Sequence, residues 1–139
     1  MTARIEQLTS PADLALLGPL WLSLHHHHQA VSDFDGFLTD DATSWQRRHA
    51  HYASLVGEDQ AVVLLARDEH GPAGYALARL IHEPDNTFNT RSSYAELETL
   101  SVREDARSAG IGPLLLDRLD EVLAERGIVD MVVSVPVDN

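Results

Sequence analysis

YAELETLSVREDARSAGIGPLLLDRLDEVLAER, residues 94–126, sets an apolar–polar alternation, a run of small residues and a helical repeat one after another. From Tyr94 to Val102 the alternation has period two, which predicts a strand. Leu115, Leu116, Leu119, Val122 and Leu123 recur at helical spacing and predict a helix over 113–126, closed by Gly127. The loop between them, 103–112, is rich in small residues and runs straight into that helix N-terminus. Uncovered N–H groups and the helix dipole make such a junction a site for an anion. A pyrophosphate would fit, with Arg107 and Arg103 adding charge-assisted contacts. A dinucleotide fingerprint is a poorer match, because Gly110-Ile111-Gly112-Pro113-Leu114-Leu115 lacks the third glycine and Asp130 falls at the start of the next strand rather than its end.

Working outward, Met131 to Val137 is an almost wholly apolar strand of the kind buried on both faces. Upstream, Ala61 to Arg67 and Tyr75 to Ile81 flank the turn cluster 68–74 and predict a hairpin, followed by a polar loop over 82–93. A helix over 44–56 places Trp45, His49, Tyr52 and Val56 on one side. Arg4 to Thr9 reads as a short strand, after which Ser10 caps a helix starting at Pro11. Its apolar face comprises Leu14, Leu16, Leu17, Leu20, Trp21, Leu24, His27, His28 and Val31. Strand, two helices, three strands, helix, strand is the order of a mixed α/β or α+β sheet with helices on its faces.

With 139 residues and no repeat or linker, the chain predicts one domain. It has no cysteine, which excludes disulfides, thiolate metal sites and a cysteine nucleophile. All ten basic residues are arginine, so Schiff-base and P-loop chemistry lack their lysine. A formal charge of −12 argues against nucleic-acid binding and favours cationic partners such as amines. Neither a membrane-spanning run nor a signal-peptide pattern is present, and a cytoplasmic location is expected. In His25-His26-His27-His28, helical geometry lets only His25 and His28, or one of them with Gln29, share a face, and no H-E-x-x-H pattern occurs, so no metal site is expected.

Strand 94–102, the segment Arg107-Ser108-Ala109-Gly110-Ile111-Gly112 and the following helix resemble the acyl-CoA-binding motif of the GNAT superfamily of N-acetyltransferases, Q/R-x-x-G-x-G/A after a strand ending in an L-x-V-like triplet. The stretch from Val133 to Asn139 is similar to the family's V-x-x-x-N. What the resemblance implies is a mostly antiparallel mixed sheet flanked by helices, with the acyl-CoA site at the junction of strand 94–102 and helix 113–126. The loop amides of Arg107, Ser108, Ala109, Gly110, Ile111 and Gly112 would hold the pyrophosphate, backbone groups of Leu100, Ser101 and Val102 the thioester and pantetheine arm, and Asn139 would also contact the cofactor.

Transfer of an acetyl group from acetyl-CoA to an amine needs a route for the amine proton. By the period-two rule Glu96 and Glu98 share a strand face that Leu100 and Val102 continue. The resemblance favours Glu96 as the base, with Glu98 in reserve. It also directs His27, His28, Trp45, His49, Tyr52 and residues 82–93 toward the acceptor pocket, with no metal. Family members continue beyond the asparagine into a helix and two strands that carry a thiolate-protonating tyrosine, and Tyr52, Tyr75 and Tyr94 do not match it. The expectation is therefore either a C-terminally incomplete domain, a fragment of a longer product, or a last strand that a second copy covers as a homodimer. A catalytically silent CoA-binding module on the same fold is the alternative to an N-acetyltransferase acting on a small-molecule or protein amine.

Overall fold

In a computed structural model of the chain, residues 3–31, 40–83, 87 and 92–133 are described. Five strands form one sheet in the order β1 (Arg4–Gln7), β2 (Ala61–Asp68), β3 (Gly71–His82), β4 (Ser93–Val102), β5 (Met131–Val133). The first four run antiparallel, and β5 lies parallel to β4. Helices α1 (Gly18–Val31) and α2 (Asp41–Gly57) cover one face, and α3 (Ile111–Glu125) the other. This is the mixed, mostly antiparallel sheet with flanking helices that the sequence predicts.

Two apolar layers result. Ile111, Leu115, Leu119, Val122 and Leu123 of α3 pack on Val62, Leu64, Ala76, Ala78 and Leu97, as their helical spacing implies. Gly74 lets α3 approach closely, since a Cβ there would lie 3.0 Å from the Ser101 carbonyl oxygen and 3.2 Å from Ile111. On the opposite face Leu14, Leu17, Leu20, Tyr52 and Leu55 pack on Val63, Leu65, Tyr75 and Leu77.

Several expectations need correction. The first helix is two pieces, a 3-10 segment over Pro11–Leu17 and then α1. Pro19 has no N–H to give to Ala15, so an α-helix cannot run through, and the Ala15 carbonyl accepts from Gly18 instead. The tighter 3-10 winding shifts the phase of the apolar face: Leu16 is 36% exposed, and His25 is buried while His27 is exposed. Helix α3 begins at Ile111 rather than Pro113, because a proline is tolerated within the first turn. Strand β5 is not buried on both faces. Among the described residues it pairs only with β4, and Val133 is 55% exposed. Residues 134–139, with Asn139, and most of loop 82–93 lie outside the described residues.

The alternation in β4 also breaks. Leu97 pairs with Ala78 and Thr99 with Leu77, leaving Glu98 as an extra residue in a β-bulge. Glu96 and Glu98 face α1 and α2, but so do Thr99 and Ser101, while Leu100 and Val102 pack toward α3. A period-two projection therefore fails after residue 98.

Candidate functional site

Helices α1 and α2 present stripes of identical spacing to a cavity of about 600 Å³. Trp21, Leu24, His25 and His28 come from α1, and Ser44, Arg47, Arg48 and His51 from α2. The bulge of β4 supplies Glu98 as its floor. The inserted residue turns this carboxylate toward α2, where it accepts from His51 Nε2 at 2.9 and 3.1 Å and from Arg48 Nη1 at 3.4 Å. Arg79 Nε, buried and without a hydrogen-bond partner among the described residues, is 4.0 Å from Glu98 Oε2. The side chain of Glu98 is only 15% exposed, so these donors act on it with little screening by water.

The walls are held by their own contacts. Trp21 Nε1 donates to Ser44 Oγ at 3.2 Å, the Arg48 guanidinium lies 4.2 Å over the Trp21 ring, and His25 stacks on Trp21 at 5.7 Å. Beneath them Tyr52 and Thr99 share a hydrogen bond of 2.6 Å, and Tyr52 and Tyr75 one of 3.1 Å. Burial raises the pKa of both tyrosines, Tyr75 most, so neither hydroxyl ionises in the working range. Burial also raises that of Tyr94, whose hydroxyl donates to Glu83 at 3.3 Å.

The residues expected to border an acceptor divide unevenly. His28 lines the cavity. His27 does not, and Tyr52 is fully buried below it. Trp45 and His49 contact each other edge-on, away from the lining. Glu96 pairs with Arg79 at 3.5 Å and does not line the cavity either. Trp21, His25, Ser44, Arg47, Arg48 and His51 were missed. For the four on α2 the signal is the polar stripe 44, 47, 48, 51, one step round the helix from the aromatic stripe 45, 49, 52.

A second feature lies on the other side of the bulge. The Arg103 N–H donates to the Ala73 carbonyl at 2.7 Å, so strand alternation turns the N–H groups of Leu100 and Val102 away from β3. Among the described residues β5 covers that edge only along Ala95–Leu97, which leaves the Leu100–Val102 stretch without a strand neighbour there. Ser101 differs: its Oγ donates to the Leu20 carbonyl at 2.8 Å, and its backbone faces β3. Past the strand, Gly110 adopts φ +78° and ends a 3-10 segment over Glu104–Ala109. The N–H groups of Ile111 and Gly112 then open α3 with no acceptor among the described residues, and Pro113 has none to satisfy. Arg107, Ser108 and Ala109 are exposed, with Arg107 Nε donating to the Val102 carbonyl at 3.3 Å. Arg103 is committed elsewhere, to Asp68 at 2.6 Å, Asp105 and the Pro72 carbonyl, and holds Asp68 below the usual carboxylate range. An extended amide arm along Leu100–Val102 leading to a diphosphate at Gly110–Gly112 fits these groups.

Among the described residues no group of three or more His, Asp or Glu could hold a metal ion, and no helix is long and apolar enough to cross a membrane.

The mixed, mostly antiparallel sheet with helices on both faces is the fold of GNAT acetyltransferase structures. A model of the acetyltransferase (GNAT) family matches residues 23–139, and the chain belongs to that family. No curated protein matches its sequence. Among solved structures, a predicted acetyltransferase from Clostridium acetobutylicum determined with acetyl-CoA superposes with a TM-score of 0.75 at 15% identity, over 98% of this chain and 82% of that one. A GNAT protein from Ralstonia eutropha gives 0.75 at 17% identity, over 96% and 84%. An aminoglycoside acetyltransferase from an uncultured soil metagenomic sample, in complex with sisomicin, gives 0.66 at 18% identity, over 97% and 78%. At these identities the likeness is one of fold.

Proposed function

We propose that the chain is an acetyl-CoA-dependent N-acetyltransferase in which an amine enters the cavity between α1 and α2. Acetyl-CoA supplies an activated thioester carbonyl. The diphosphate is held by the N–H groups of the 107–112 loop, with Gly110 and Gly112 giving backbone access and Arg107 its charge. Backbone N–H groups of Leu100 and Val102 orient the acyl arm and donate to the carbonyl oxygen as it gains charge.

The observation that carries this reading is the bulge at Glu98. One inserted residue puts a carboxylate on the cavity floor and the outward N–H of Leu100 only two residues further on, so proton acceptor and carbonyl donor come from one turn of strand. Glu98, hydrogen-bonded to His51, takes the amine proton directly or through His51, and the amine nitrogen then forms the C–N bond as the C–S bond breaks. Glu96 acts only through Arg79. The acid for the leaving thiolate is not a tyrosine of the described residues, and a thiol of ordinary pKa near 8.5 leaves with little help.

Thiol release from acetyl-CoA with a panel of amines tests the reading, together with calorimetry of acetyl-CoA binding to wild type and Gly110→Glu. Turnover with tight donor binding that Gly110→Glu weakens is the expected result. Donor binding without release of thiol toward any amine would instead favour a silent CoA-binding module, and unchanged affinity in a folded Gly110→Glu variant would remove the loop from the donor site.

A further inference from the structure

Among the described lining residues of the cavity, guanidinium groups outnumber carboxylates, in a chain whose formal charge is −12. Arg47 and Arg48 line it, against Glu98 as the single acid among the described lining residues. That acid is already matched by Arg48 at 3.4 Å, His51 at 2.9 Å and Arg79 at 4.0 Å. Arg47 stands at the exposed rim, with no acidic partner among the described residues, one residue from the guanidinium of Arg48 that Trp21 holds in place. A cavity meant for a polycation would show the reverse, acids in excess and no unmatched guanidinium. Resting on the acetyl-transfer reading above, we infer that the acceptor is a small amine bearing a carboxylate, of the α-amino-acid type.

The carboxylate meets Arg47 and the outer donors of Arg48 in a charge-assisted, forked contact. The amine points down to Glu98 and His51, and an apolar side chain lies on Trp21 and Leu24. Polyamines and aminoglycosides, whose charged groups are all cationic, meet like charge at the two guanidiniums.

The test is a matched set: the amino acids as a screen, then the methyl ester and the decarboxylated amine of the best one, with spermidine and an aminoglycoside as polycations. Both thiol release and quenching of tryptophan fluorescence without donor are read in wild type and Arg47→Glu. The acid should exceed its ester and decarboxylated amine at least tenfold in kcat/KM, and Arg47→Glu, folded by circular dichroism, should cut that ratio tenfold or more. Preference for ester, decarboxylated amine or polycation, or a ratio that Arg47→Glu leaves unmoved, overturns the inference while leaving acetyl transfer standing. Binding of the amino acid with no thiol released from any combination overturns acetyl transfer and the acceptor role together.

Discussion

Replacing Glu98 with Gln removes a proton acceptor while keeping the shape of the cavity floor. The amide oxygen can still accept from His51, now 2.9 Å from Glu98 Oε1, but the group can no longer take a proton from the amine. A positioned general base contributes roughly 10²- to 10⁴-fold. Because His51 remains beside the same point and can pass a proton to water, the lower end applies: a fall in kcat of about 10²-fold, equivalent to about 2.7 kcal/mol of transition-state stabilisation. The KM for acetyl-CoA should stay within about threefold, since the donor groups lie on Leu100–Val102 and the 107–112 loop. Stability should drop by only about 1 kcal/mol, because Gln keeps part of the hydrogen bonding to Arg48 and His51. Initial rates of thiol release at saturating amine, with thermal melts of both proteins, measure all three. Glu96→Gln is the matched control; among the described residues its carboxylate reaches only Arg79, at 3.5 Å, and the loss expected is below about threefold. Full activity in Glu98→Gln, or a larger loss in Glu96→Gln, would refute the assignment.

Three further outcomes follow from the packing. Tyr52→Phe leaves the hydroxyls of Thr99 and Tyr75 without their buried partner and should cost about 1–3 kcal/mol in urea unfolding, with thiol release altered less than stability; a loss under about 0.5 kcal/mol would contradict the network. Gly110→Ala meets no atom within 4 Å but must hold φ +78°, so it should destabilise by about 1–2 kcal/mol through backbone strain alone, read from the urea midpoint. Asp68 is held below the usual carboxylate range first by its hydrogen bond from Arg103, so its folded pKa lies under its unfolded value. The stability it adds is complete above about pH 4 and is lost as pH falls through the lowered folded pKa. Asp68→Asn should therefore be less stable than wild type at pH 7, and the gap should narrow below pH 4; a gap that stays constant on acidification would exclude the Asp68–Arg103 pair as its source.

The order of elements, the sheet with helices on both faces and the run of small residues leading into α3 were all legible in the sequence. Each depends on local chemistry: hydrophobic periods of two and 3.6, and small residues ahead of a helix N-terminus. Phase was legible only where winding stayed regular. A 3-10 segment ahead of Pro19 advanced the register of α1 and exchanged His27 for His25, and the bulge at Glu98 reversed the faces of Leu100 and Val102. The cavity itself had no local signature, because its central contact joins His51 to Glu98 across 47 positions of sequence. Residue pattern determines which face of an element is apolar, whereas the meeting of polar stripes from α1, α2 and β4 depends on how two layers dock, and only the tertiary structure decides that.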